Sequence, residues 1–209
     1  MDGIGANQKH WEGVWPGAKC LAEFICCNHN IFANSVCLEL GSGTGIVGLS
    51  LGKLGAKKGL DWQDANNVMV MINGLTELDY LIASDVFYDV CTFRPLIATG
   101  LDWQDTNNVM VMINGLKELD YLIASDVFYD VCTFRPLIAT VCAFFQQFPR
   151  LRFYFSYAER DDNWSIEDLL LLSNLQIRLV STRFLDNSCI EIGVIYRKAM
   201  SVDIFCGVE

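Results

Sequence analysis

A short apolar segment that carries one acidic residue, Glu39, runs directly into Gly41, Gly43 and Gly45. Residues 38–48 read Leu-Glu-Leu-Gly-Ser-Gly-Thr-Gly-Ile-Val-Gly. Glycine adopts backbone angles that other residues avoid and lets main-chain N–H groups approach a bound ligand. A carboxylate at the end of a strand suits a cofactor with a positive charge or hydroxyl groups. The segment therefore predicts a nucleotide-type cofactor site on a strand, turn and helix.

The same glycines occur both in enzymes that bind a dinucleotide and in methyltransferases. Residues 43–48 also satisfy the pattern G-x-G-x-x-G, which is typical of dinucleotide-binding enzymes. Such enzymes use an acidic residue about twenty positions further on for the ribose, and several methyltransferases use a similar acid. The glycine pattern alone thus leaves an NAD-dependent oxidoreductase open, and the flanking sequence has to decide.

Four further segments favour a methyltransferase. They are residues 14–25 (Val-Trp-Pro-Gly-Ala, then Leu-Ala-Glu-Phe-Ile), 59–62 (Gly-Leu-Asp-Trp), 83–88 (Ala-Ser-Asp-Val-Phe-Tyr) and 155–170. In this order, together with the glycine turn, they resemble methyltransferase family 16, a group of class I S-adenosylmethionine-dependent enzymes that act mainly on other proteins. The resemblance runs from about residue 14 to residue 198, which is nearly the whole chain.

The resemblance implies both a fold and an activity. The expected fold is an α/β three-layer sandwich with a seven-stranded, mostly parallel Rossmann-like sheet and helices on both faces, in a single domain over residues 1–209. The expected activity is methyl transfer from S-adenosylmethionine to an arginine or lysine side chain of a protein substrate. The resemblance also implies a set of cofactor-binding residues: Trp15, Glu39, Gly41, Gly43, Gly45, Asp61, Trp103 and Ser125.

The family's Asp-x-x-Tyr pattern predicts the catalytic pair Asp126 and Tyr129, with Asp85 and Tyr88 as its duplicate. A carboxylate and a tyrosine near the transferable methyl group could align a substrate amine and accept its proton. The structural alternative is that Asp126 caps the following turn and Tyr129 packs with its hydroxyl in water. The tryptophan that lies along the adenine is Trp103 or its duplicate Trp62, and the sequence does not choose between them.

These duplicates belong to an internal repeat. Residues 59–99 recur as residues 100–140, and only two positions differ: Ala65 against Thr106, and Thr76 against Lys117. Solenoid repeats come in larger numbers and diverge, whereas two nearly identical copies indicate a recent duplication. An exon counted twice in the gene model is the other explanation.

The family also has a strand, a helix and a further strand between the glycine-turn helix and the Leu-x-Trp element, and this chain lacks them. Seven apolar runs nevertheless predict strands: residues 36–40, 57–61, 80–84, 121–125, 151–157, 176–181 and 190–196, the last of them antiparallel. We expect copy one to take the place of the missing strands, with Asp61 as the acidic residue that binds the cofactor ribose. Copy two would then supply the family's fourth strand.

Composition limits the partners. The 209 residues are 52% hydrophobic with a formal net charge of -10, so a basic protein is a better expected partner than nucleic acid, whose phosphates require a basic surface. No apolar run reaches the roughly 20 residues that span a bilayer. Nine cysteines without C-x-x-C spacing, only two histidines and a polar start predict a cytoplasmic or nuclear protein without a metal site. The oligomeric state stays undetermined.

A second hypothesis follows from the missing segment. A chain without the family's usual ribose acid could bind the cofactor weakly or not at all and persist as a protein-binding module. Affinity for the cofactor distinguishes this catalytically impaired relative from an active enzyme.

Overall fold

The computed structural model describes residues 13–41, 44–54, 80–82, 106–128, 130–158, 170–171 and 173–198. Within these ranges the helices are α1 (Pro16–Cys27), α2 (His29–Phe32), α3 (Ile46–Lys53), α4 (Thr106–Gly115) and α5 (Val131–Gln147). The strands are β1 (Cys37–Leu40), β2 (Tyr80–Ile82), β3 (Tyr121–Ser125), β4 (Arg152–Ala158), β5 (Leu175–Leu185) and β6 (Ser188–Arg197).

All six strands form one sheet in the order β2-β1-β3-β4-β6-β5. The first four are parallel to one another, and β6 is antiparallel to both β4 and β5. The predicted antiparallel strand at residues 190–196 is therefore confirmed. The sheet has six strands in the described residues instead of the predicted seven, because the run at residues 57–61 lies outside them.

Helices cover both faces of the sheet, which confirms the three-layer α/β arrangement. Alternate residues of a strand point to opposite faces, so Leu38 and Leu40 of β1 join the core beneath α4 and α5. Cys37 joins the core beneath α1 and α3 on the other face. Strands that are buried on both faces are typical of parallel sheets between helical layers. Glu39 is the one charged residue in β1, whose four residues are all buried.

The amphipathic helices fit this arrangement. Helix α1 begins with Pro16 at its first position, where a missing N–H costs no hydrogen bond. Its buried face includes Leu21 and Ile25, both 0% exposed. Removing each such side chain from water contributes about 1.5–3 kcal/mol. Helix α1 is thus firmly packed against the sheet.

The last two strands form a long hairpin. Asp186 and Asn187 make its two-residue turn, and both have positive φ angles, 50° and 61°. Asparagine and aspartate tolerate this conformation better than most residues, as tight hairpin turns require. Lys19 of α1 forms a salt bridge with Asp186 at 3.9 Å. Because both side chains are largely exposed, we assign it little stability.

Candidate functional site

The turn after β1 has the geometry that its glycines predict. Gly41 and Gly45 have φ angles of 68° and 75°, in the left-handed region. A Cβ at Gly45 would meet no atom within 4 Å, so the backbone angle, and not the space, requires glycine there. Gly45 is also the N-cap of α3 and provides no side-chain hydrogen bond. The first N–H groups of α3 therefore face the turn, as in anion- and nucleotide-binding sites.

Glu39 is a buried carboxyl group within β1. It is 1% exposed, and neither of its oxygens has a hydrogen-bond partner among the described residues. Burial raises the pKa of Glu39 to about 8, and the nearby backbone N–H of Gly48 offsets only part of that effect. An unpartnered buried carboxyl group is costly unless a ligand completes it. This arrangement fits a cofactor with cationic and hydroxyl groups held at the glycine turn.

Asp126 lies at the same edge of the sheet. It follows Ser125, the last residue of β3, and β3 is the parallel neighbour of β1. Its φ angle of 53° is left-handed, and its N–H donates to the carbonyl oxygen of Ser156 at 3.1 Å. The carboxyl ends of parallel strands are where open α/β sheets bind their ligands. The predicted catalytic carboxylate therefore lies beside the predicted cofactor turn.

Asp126 is not the cap of the helix that follows it. That role belongs to Asp130, the N-cap of α5, whose Oδ1 accepts the backbone N–H of Cys132 at 2.9 Å. Asp126 instead contacts the first turn of α1. A Cβ built at Gly17 would lie 2.6 Å from Cγ of Asp126. The alternative that Asp126 caps the turn directly after it stays a prediction.

The other described site residues are Ser125 and Trp15. Ser125 is buried and pairs in register with Ser156 of β4. Trp15 is the half-buried N-cap of α1, and its carbonyl oxygen accepts the N–H of Lys19 at 3.1 Å. Both residues thus lie on elements that converge on Asp126. The remaining predicted residues, which are Gly43, Asp61, Trp103 and Tyr129, together with Trp62, Asp85 and Tyr88, lie outside the described residues.

Sequence reasoning missed two residues of this site. Gly17 was part of a quoted motif, but its contact with Asp126 joins positions more than 100 residues apart. Ser156 is 0% exposed, and its Oγ has no hydrogen-bond partner among the described residues. The signal available in the sequence was a serine within a strand of mostly aromatic residues, because a buried hydroxyl group needs a hydrogen-bond partner.

Two other kinds of site were searched for in the described part of the chain. It contains no group of three or more histidine, cysteine or acidic residues arranged to hold a metal ion. Among the described helices, none combines the length and the apolar character needed to cross a bilayer.

Comparison with known sequences decides between the two cofactor classes. The sequence model of a family described as lysine methyltransferase matches residues 6–169, well over half of the chain. The chain belongs to this lysine methyltransferase family. Its cofactor is S-adenosylmethionine, and the fold and the glycine turn agree with that assignment. The dinucleotide interpretation of the glycine pattern is therefore not needed.

One curated relative agrees with the subgroup that the sequence resembles. The chain is 28% identical to the histone-arginine methyltransferase METTL23 of Rattus norvegicus, over 75% of this chain and 64% of the relative. The chain thus spans less than two thirds of the length of that relative.

Solved structures support the fold. A protein of Pyrococcus horikoshii, described as a candidate RNA methyltransferase, matches with a TM-score of 0.52 at 14% identity, covering 92% of this chain and 91% of that one. The magnesium protoporphyrin IX methyltransferase of Synechocystis, with bound S-adenosylmethionine, matches with a TM-score of 0.51 at 11% identity, covering 86% and 77%. At such identities the likeness establishes a shared Rossmann-like fold only.

Proposed function

We propose that this protein transfers a methyl group from S-adenosylmethionine to a lysine or arginine side chain of a basic protein. The observation that carries the proposal is the position of Asp126, which follows the strand next to the glycine turn and its buried Glu39. Membership of the lysine methyltransferase family supports a lysine target. The relative named a histone-arginine methyltransferase supports an arginine target, and both belong in the test.

The cofactor and the substrate would occupy adjacent parts of this edge. Gly41 and Gly45 would bring backbone N–H groups to the cofactor, and Glu39 would meet its polar groups. When bound, S-adenosylmethionine supplies a methyl group on a positively charged sulfur. Methyl transfer needs an uncharged nucleophile held close to that methyl group in a site that excludes water. Positioning is therefore the main task of the protein residues.

We assign that task to Asp126, together with Tyr129 of the same Asp-x-x-Tyr pattern. A carboxylate attracts a cationic amine or guanidinium, orients it and can accept the proton that the nucleophile loses. The net charge of -10 favours a basic protein over nucleic acid as the partner. We extend the proposal to the cytoplasm or nucleus, because the seven cysteines that the structure describes form no disulfide with one another.

Methyl transfer with isotope-labelled S-adenosylmethionine tests this function. The purified chain is incubated with histones and with a mixture of other basic proteins, and the modified residues are mapped by mass spectrometry. The proposal expects label on lysine or arginine side chains, and label at a rate about 10²–10³-fold lower with Asp126→Asn. A folded chain that binds S-adenosylhomocysteine but labels no protein would contradict it. A folded chain that binds no cofactor would favour the catalytically impaired, protein-binding alternative.

A further inference from the structure

We propose that Gly17, in the first turn of α1, is a positioning residue that keeps open the space occupied by the Asp126 carboxylate. The proposal rests on the function proposed above, because it concerns the side chain that we assign to the substrate amine. It connects the Trp-Pro-Gly sequence at residues 15–17 with the site at the end of β3.

The first observation is the space itself. Gly17 is buried, and a Cβ at this position would lie 2.6 Å from Cγ and 2.7 Å from Oδ1 of Asp126. Real Cβ atoms essentially never approach other heavy atoms that closely. Any other residue at position 17 would therefore have to displace the carboxylate or the helix.

The second observation is that moving the backbone of Asp126 or helix α1 would cost more free energy than rotating the Asp126 side chain. The backbone of Asp126 is fixed by the bond from its N–H to the Ser156 carbonyl oxygen at 3.1 Å. Helix α1 is held by Leu21 and Ile25, which are fully buried. Rotation of the Asp126 side chain is the cheapest response, since a displaced helix would lose well-packed core contacts. A small displacement of a positioned catalytic group can reduce the rate about a hundredfold.

The third observation is the electrostatic environment that the helix provides. The N-cap residue of α1, Trp15, gives no side-chain hydrogen bond to the first turn, and that turn contains no acidic residue. The first turn of a helix carries unsatisfied N–H groups and a partial positive charge. The Asp126 carboxylate lies against this turn. Gly17 permits this contact because it has no side chain.

A double-mutant cycle tests the proposal. The parent, Gly17→Ala, Asp126→Asn and the double variant are compared by kcat and KM for methyl transfer and by the Kd for S-adenosylhomocysteine. We expect Gly17→Ala to lower kcat at least tenfold and to leave the Kd within twofold. In the Asp126→Asn background the same substitution should change kcat less than twofold, because its effect passes through the carboxylate. The matched control is Gly13→Ala, since Gly13 has no atom within 4 Å of its Cβ position.

Two kinetic outcomes would overturn the proposal. If Gly17→Ala lowers kcat by the same factor with and without the Asp126 carboxylate, Gly17 acts through something else. If Gly17→Ala retains the parent kcat, the space at Gly17 is not required to position the Asp126 carboxylate.

A second measurement avoids any substitution at Gly17 and any known substrate. The backbone amide of Gly17 is followed by NMR as the pH is changed, in the parent and in Asp126→Asn. We expect its chemical shift to follow a carboxyl titration in the parent only. The other ionisable groups around this helix are the same in both proteins, and they are Cys20, Glu23, Arg183 and Asp186. Equal titration curves in the two proteins would overturn the contact, whether or not the parent transfers methyl groups.

Discussion

The strands on the two sides of β1 contain the same three-residue sequence but have different neighbours. The segment Tyr-Leu-Ile occurs as Tyr80–Ile82 in copy one and at the start of β3 in copy two. Both segments pair with β1 in the same register: Cys37 lies opposite Tyr80 on one side and opposite Tyr121 on the other. Tyr80–Ile82 of copy one therefore lies beside β1, as expected if copy one replaces a missing strand.

The environments differ in what lies beyond each strand. β3 has a second neighbour, β4, whose Ser156 holds the backbone of Asp126. Among the described strands, β2 is at the edge of the sheet and has β1 as its one neighbour. Identical sequences can thus serve a site in one place and complete the sheet in another. The neighbouring elements, and not the motif alone, create the site.

The largest expected difference between the copies concerns catalysis. We expect Asp126→Asn to lower kcat by about 10²–10³, the size of effect that a positioned acid-base group contributes. Asp85→Asn, the same change in copy one, should leave kcat within twofold. Steady-state methyl transfer gives kcat, and titration with S-adenosylhomocysteine shows whether each variant keeps its cofactor affinity. Equal losses in the two variants would mean that copy one shares the site.

The second difference concerns stability. Leu122 of β3 is 0% exposed within the larger core cluster. We expect Leu122→Ala to lower the free energy of unfolding by about 2–5 kcal/mol, as in other fully buried leucines. Leu179→Ala in β5, where the side chain is 52% exposed, should cost less than about 1 kcal/mol. Urea denaturation followed by circular dichroism measures both values. A Leu179→Ala cost as large as that of Leu122→Ala would contradict the difference in burial between the two side chains.

The third prediction concerns Glu39, which lies opposite Ile82 on one side and Ile123 on the other. Its pKa is raised by burial from 4.5 to about 8, so the folded protein binds more protons than the unfolded chain between these pH values. The free energy of unfolding should therefore fall as pH rises from 4.5 to 8, by at most about 5 kcal/mol from this group.

Glu39→Gln removes that titration. We expect the variant to be more stable than the parent at pH 8 and to show a flatter dependence of the free energy of unfolding on pH. Urea denaturation at pH 5, 6.5 and 8 checks this, and cofactor affinity measured in parallel should fall. Parallel stability curves for the two proteins would contradict the buried, unpartnered state of Glu39.

Much of the fold follows from local patterns. The apolar runs predicted six of the described strands, and the glycine turn placed Gly41 and Gly45 in left-handed conformations. Residues 109–113 read Val-Met-Val-Met-Ile, which suits a buried strand or a buried helix, and they lie in α4. Packing against α5 favours the helix. The alternation of valine and methionine in the sequence does not reveal that packing.

The parts that were missed depend on distant neighbours. The contact between Gly17 and Asp126 exists only because α1 crosses the end of β3, and no local pattern reports such a crossing. Asp130 was not identified as the N-cap of α5, although aspartate is a favoured N-cap residue. The backbone bond from Asp126 to Ser156 was also missed, because it requires the pairing of β3 with β4.

Isothermal titration of the purified chain with S-adenosylhomocysteine, beside Gly45→Val, tests the central claim that β1 and its turn form a cofactor site in this duplicated chain. Valine is strongly disfavoured at the φ angle of 75° that Gly45 adopts, and Gly13→Val is the matched control. We predict micromolar binding by the parent and by Gly13→Val, and none by Gly45→Val. A folded parent that binds no S-adenosylhomocysteine, or a Gly45→Val variant with the parent's affinity, would contradict the claim.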